Sequence, residues 1–182
     1  MADRGSPGVG QVTVTSFSVP EQSLGYWEQR LRAAGIPVER SGMQFDEDVL
    51  TFTDSDGLKL EIVGHAGAKA PRAQRGVMVP EEHAVRGFYA VTLSEQGFEA
   101  TADTLRTMEV RAFAEQGNRF RFDVEEGGAG ARVDVLCVLG GWYGRFSAGT
   151  AHRIAWRVAE GQSVYLFPCV SPIRWPSSKS TL

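Results

Sequence analysis

The stretch QVTVTSFSVPEQSLGYWEQRL, Gln11 to Leu31, decides the fold. Its first nine residues alternate and are rich in Val, Thr and Phe, which suit a pleated, half-buried strand. Pro20 stops that strand, because it has no N–H to give to a ladder. Beyond it the period changes, and Leu24, Trp27, Leu31 and Ala34 fall on one helical stripe. Glu21 and Glu28 sit in the N-terminal half, Arg30 and Arg32 in the C-terminal half, as the helix dipole favours. Gly35 is placed to close the helix in a left-handed cap. A short extended piece near Val38 and a strand over Val49–Thr53 follow. Asp54-Ser55-Asp56-Gly57 reads as a turn. Leu58 to Val63 then alternates, with Leu58, Leu60 and Ile62 on one face and Lys59, Glu61 and Val63 on the other. The unit is a strand, a helix and three strands.

A second copy of the unit follows an Ala-, Gly- and Arg-rich linker. Gly87–Leu93 is its first strand, and Gly97–Met108 its helix, with Phe98, Ala102, Leu105 and Met108 on one face. Val110–Ala114, Arg119–Val124 and Arg132–Val138 complete the order, with Gly117-Asn118 and residues 125–130 as turns. A third copy opens at Thr150 with AHRIAWRV and breaks off. The expected fold class is α+β, with paired βαβββ modules forming one cupped domain. The expected organisation is a flexible start over 1–9, a first module over 10–64 and a linker over 65–83. A second module covers 84–139, the loop and first strand of an incomplete third module 140–159, and an irregular tail 160–182.

Composition bounds the function. The chain has 182 residues, 19 Lys+Arg against 22 Asp+Glu, 3 His and 2 Cys, for a formal net charge of -3. That balance argues against a nucleic-acid or anionic-membrane surface as the main partner. No apolar run approaches the ~20 residues needed to span a bilayer, and with no signal pattern at the start a cytoplasmic location is expected. Two Cys cannot form a cysteine-only zinc site, and three His leave few ways to build any metal centre.

The βαβββ repeat, the ending DSDGLKLEIVG and the segment GTAHRIAWRV together resemble the vicinal oxygen chelate superfamily, the fold of glyoxalases, bleomycin-resistance proteins and extradiol dioxygenases. QVTVTSFSVPEQSLGYWEQRL, VPEEHAVRGFYAVTL and GTAHRIAWRV are most similar to its hydroquinone ring-cleaving dioxygenases. The resemblance implies four modules in such enzymes, of which this chain looks like the second, the third and the first strand of the fourth. It also implies an Fe(II) or Mn(II) site built from a His in module one and a His and a Glu in module four. Three ligands of that kind on one face leave open positions for O2 and a diol.

Matched to that pattern, the ligand position on the fourth module's first strand falls on Arg153, next to His152. A guanidinium stays protonated and has no lone pair for a metal. Glu61 sits where superfamily modules place a metal carboxylate, so Glu61 and His152 are the candidate metal residues. The matching first-strand positions are Val14 in the first copy and Tyr89 or its neighbour Phe88 in the second. The tail GQSVYLFPCVSPIRWPSSKSTL carries no helix period and no carboxylate, the mark expected of a truncation or a shifted reading frame. His65 and His83 read as solvated loop residues, and Glu61 as either a ligand or a solvated strand residue. Arg119 and Arg121 alternate with Phe120 and Phe122, as in an ordinary strand. The implied function is a truncated or degenerate relative of the ring-cleaving dioxygenases without a complete metal site. Two alternatives stand beside it. One is a metal-independent binding protein for a small aromatic compound; the other is a dioxygenase completed by another chain. A homodimer is expected separately, because a last strand orphaned from its module would expose an unpaired edge.

Overall fold

A computed structural model of the protein describes residues 5–68, 78–124, 129–147, 150–151, 153–155 and 166–168. The first module runs β1 (Gln11–Pro20), a short 3-10 turn (Glu21–Ser23), α1 (Leu24–Ala33), β2 (Val38–Gln44), β3 (Glu47–Thr53) and β4 (Lys59–His65). The second runs β5 (Gly87–Glu95), α2 (Glu99–Thr107), β6 (Val110–Gln116), β7 (Arg119–Val124) and β8 (Arg132–Cys137). These strands make one eight-stranded sheet in the order β2-β3-β4-β1-β5-β8-β7-β6. β1 and β5 pair antiparallel at its centre, joining the two modules through their first strands. Each module closes on itself through a parallel pair, β1 with β4 and β5 with β8. The result is the expected α+β fold of paired modules, a curled mixed sheet with a helix on the outer face of each half.

The helix stripes explain why each half holds. Leu24 and Leu31 of α1 bury against Val19, Leu50 and Ile62, with Trp27 packed beside them. Ala102 and Leu105 of α2 do the same against Leu93, Phe122, Val133 and Val135. Burying an aliphatic side chain of this size contributes roughly 1.5–3 kcal/mol. Gly35 lies at φ 73°, and Ile36 N–H reaches back to the Leu31 carbonyl, so the helix ends in the left-handed cap that its sequence offered.

Several segments are more ordered than their composition suggests. The start expected to be flexible is tied down: Ser6 and Val9 bridge to Arg145 and Tyr143, and Val9 is buried. His65 is not linker but the last residue of β4, and Glu81–His83 forms a second 3-10 turn. After Ala151 bridges to Val12, β9 (Arg153–Ala155) pairs with β10 (Leu166–Pro168). A short strand thus lies inside the stretch expected to be irregular. Among the described residues no helix is long and apolar enough to cross a membrane.

Candidate functional site

Side chains on successive strand residues point to opposite faces, so whatever does not pack under α1 and α2 turns into the concave face of the sheet. On that face the sequence places Glu47 on β3, Glu61 and His65 on β4, and Ser16 and Ser18 on β1. Tyr89 on β5, Arg119, Arg121 and Asp123 on β7, and Arg132 and Asp134 on β8 complete it. The concave face is therefore polar and charged, and most of it is closed off from water. Tyr89 and Thr92 are fully buried, Arg121 is 3% exposed and Asp134 2%.

Charge of both signs at this depth must be paired. Asp134 holds Arg121 in a two-point grip, Nε to Oδ1 at 2.8 Å and Nη2 to Oδ2 at 3.0 Å. Arg119 adds a contact to Asp134 and donates to Thr92. Glu47 reaches across from the other module, accepting from Arg121 Nη1 at 2.7 Å, from Arg132 Nη1 at 2.8 Å and from the Tyr89 hydroxyl. Arg132 also lies over the Tyr89 ring, 4.9 Å from its centre. Burial alone would lower the Arg121 pKa, but its Asp134 and Glu47 partners outweigh that and raise it. Asp123 is the weakly served member. Its Oδ1 lies 3.2 Å from Arg132 Nε, yet neither atom completes a hydrogen bond. Burial pushes the Asp123 carboxyl up to about 6; Arg121 opposes the shift, and Asp134 and Glu47 add to it.

Glu61 is not solvated: it is 3% exposed and accepts a hydrogen bond from Ser16 Oγ at 2.8 Å. His65 is four residues further along the same strand, roughly 13 Å by strand rise. Its Nε2 pairs with Ser18 Oγ at 2.8 Å and its ring leans on Tyr89, so it too is built in rather than solvated. Burial lowers its pKa, with Glu47 opposing and Arg132 reinforcing. His83 is likewise no free loop residue. Its ring stacks on Tyr26 at 4.3 Å, its Nδ1 meets Ser23 Oγ, and its carbonyl accepts Trp27 Nε1. Of the two neighbours left open, Tyr89 faces the concave side, while Phe88 is exposed and stacks on Phe17. His152 lies outside the described residues.

A two-His, one-carboxylate centre needs its donors to converge on one point. Among the described residues no three His, Cys, Asp or Glu side chains do so. The carboxylates of the concave face are already engaged, chiefly by arginines and Ser16, and its histidine is engaged by Ser18. This donor set does not fit Fe(II) or Mn(II). Sequence reasoning saw Arg119 and Arg121 but missed Glu47, Asp134 and Arg132 as their partners. The legible signal was charge at alternate positions, Arg119-Arg121-Asp123 beside Arg132-Asp134, inside two otherwise apolar strands.

No protein-family model matches the sequence. The Bacillus subtilis (strain 168) protein MhqO, named as a ring-cleaving dioxygenase, is 35% identical over 166 residues, 88% of this chain and 51% of its own. The chlorohydroquinone/hydroquinone 1,2-dioxygenase of Sphingobium indicum is 26% identical, matching 86% of this chain and 50% of its own. Among solved structures, a dioxygenase of Bacillus subtilis superposes with a TM-score of 0.79 at 32% identity, covering 88% of this chain and 51% of that one. Glyoxalase I of Zea mays superposes at 0.52 and 11% identity over 81% of this chain and 49% of that one, a likeness of fold alone. The chain spans about half the length of these relatives.

Proposed function

The chain belongs to the vicinal oxygen chelate superfamily and is related to its ring-cleaving dioxygenases; from that premise we propose that its two described modules form a non-catalytic pair, closed around their own ions instead of a metal. The observation that carries this reading is the concave face itself. On the described part of that face, guanidinium groups and the carboxylates that neutralise them take the room a metal would need. Guanidinium cannot coordinate a cation, and it repels one. Relationship to enzymes named as dioxygenases supports the family, not the reaction, since chemistry resides in the site and not in the fold.

The test uses the whole chain. Reconstituted with Fe(II) or Mn(II) under anaerobic conditions, it should retain substoichiometric metal after desalting. It should also take up no O2 when hydroquinone or catechol is added. The residual metal should be the same in Glu61→Ala as in the parent. One firmly held metal per chain, lost on Glu61→Ala and accompanied by ring cleavage, would overturn the reading in favour of an active dioxygenase.

A further inference from the structure

We propose that the Glu47 carboxylate is the chain's own occupant of a carboxylate-binding cradle made by Arg121, Arg132 and Tyr89, and that a small carboxylate anion takes its place when the tip of the β2–β3 hairpin lifts. All three donors belong to the second module, on β7, β8 and β5, while the carboxylate comes from the first. Arg121 and Tyr89 have supports apart from Glu47, whereas the hydrogen bond described for Arg132 is the one to Glu47. Arg121 is fixed by its two-point contact with Asp134, Tyr89 is fully buried, and Arg132 lies beside Asp123. With Glu47 removed, Arg121 Nη1, Arg132 Nη1 and the Tyr89 hydroxyl lose the acceptor they share. A buried charge left unpaired is strongly unfavourable, so the vacated cradle calls for an anion. Paired guanidinium donors suit the two oxygens of a carboxylate in particular.

The hairpin tip has the features of a flap. It is a two-residue turn with both Phe45 (φ 51°) and Asp46 (φ 65°) in the left-handed region. For a bulky residue such as Phe that conformation is uncommon. What holds the tip down is a small set of contacts to the second module. The Phe45 ring lies 4.3 Å from the Arg121 guanidinium, Phe45 N–H donates to Gln116 Oε1, and Gln116 Nε2 donates to the Met43 carbonyl. Behind the tip the β2–β3 register is irregular between Ser41 and Gln44. Opening of the tip exchanges one carboxylate in the cradle for another. Phe45 over Arg121, with Phe113 near Arg132, gives the cradle aromatic walls, so a carboxylate borne on a flat ring is the better occupant.

This inference stands apart from the question of metal, and its experiment fails or succeeds independently of the O2-uptake test. Glu47→Ala deletes Cγ and the carboxylate, the atoms that acetate restores. The variant's melting temperature should fall below that of the parent and recover saturably with sodium acetate. Sodium chloride at equal ionic strength should not restore it. Acetate and chloride acting alike would overturn the proposal. Should the alanine variant not fold even with acetate, the isosteric Glu47→Gln decides the matter. By equilibrium dialysis it should bind benzoate at least tenfold more tightly than the parent, and Arg132→Ala added to it should abolish the gain. Equal benzoate binding by parent and Glu47→Gln would mean that Glu47 is a structural brace and nothing more.

Discussion

Asp123 shows how one residue can set a pH response. Its carboxyl is raised to about 6 by burial, so between about pH 4 and 6 the folded chain holds a proton that the unfolded chain has released. Stability contributed by this group is therefore present below its unfolded pKa and lost as pH rises to about 6, by on the order of 1–3 kcal/mol. The groups around it are Arg121 on its own strand, Arg132 and Asp134 on β8, Glu47 on β3 and Arg111 across β6. Asp123→Asn mimics the protonated form. It should match the parent in urea unfolding near pH 4 and exceed it above pH 6.5. His65 acts in the opposite sense, its lowered pKa withdrawing stability as pH falls below about 6.5, and comparing variant with parent at each pH cancels it. At this scale the sequence showed which residues were chemically capable, but not which of them met. Glu61 stood out by its place in LKLEIV. Its hydrogen-bond partner Ser16 lies 45 positions away, and no spacing rule reaches that far.

At the scale of elements, the pairing of α1 with β4 rests on the absence of one methyl group. A Cβ on Gly64 would come within 2.8 Å of Leu24 Cγ and 3.2 Å of Glu21 Cα. Gly64→Ala should therefore destabilise the chain by about 1–3 kcal/mol, read as a drop in urea midpoint at unchanged slope. The helices and most strands were legible from period alone, because one buried stripe or face is enough to reveal them. The helix over 97–108 in the sequence reading became α2, trimmed at its ends to Glu99–Thr107. His83 was misjudged because its role depends on Ser23, Tyr26 and Trp27, which belong to the other end of the module. A polar residue before a strand looks solvated until the helix that covers it is in place.

At the scale of the molecule, the two modules share one sheet through β1 and β5 and a buried ion network through Glu47. They should therefore unfold together. With Trp142, Trp156 and Trp175 replaced by Phe, Trp27 fluorescence reports on the first module, while far-ultraviolet circular dichroism reports on both, and the two signals should give coincident urea transitions. Two resolved transitions would mean that the β1–β5 seam and the Glu47 contacts couple the modules weakly. The sequence by itself determined the module: alternating strands, a one-sided helix, a left-handed cap and their repetition are local patterns, each set by side chains a few residues apart. It also limited the metal chemistry, since three histidines and a guanidinium at Arg153 are facts of composition and position. Only the tertiary structure decided what fills the cup. Glu47 lies 74 positions from Arg121 and 85 from Arg132, and the cost of burying their charges is met only once the sheet curls and brings each guanidinium within 3 Å of the Glu47 carboxylate.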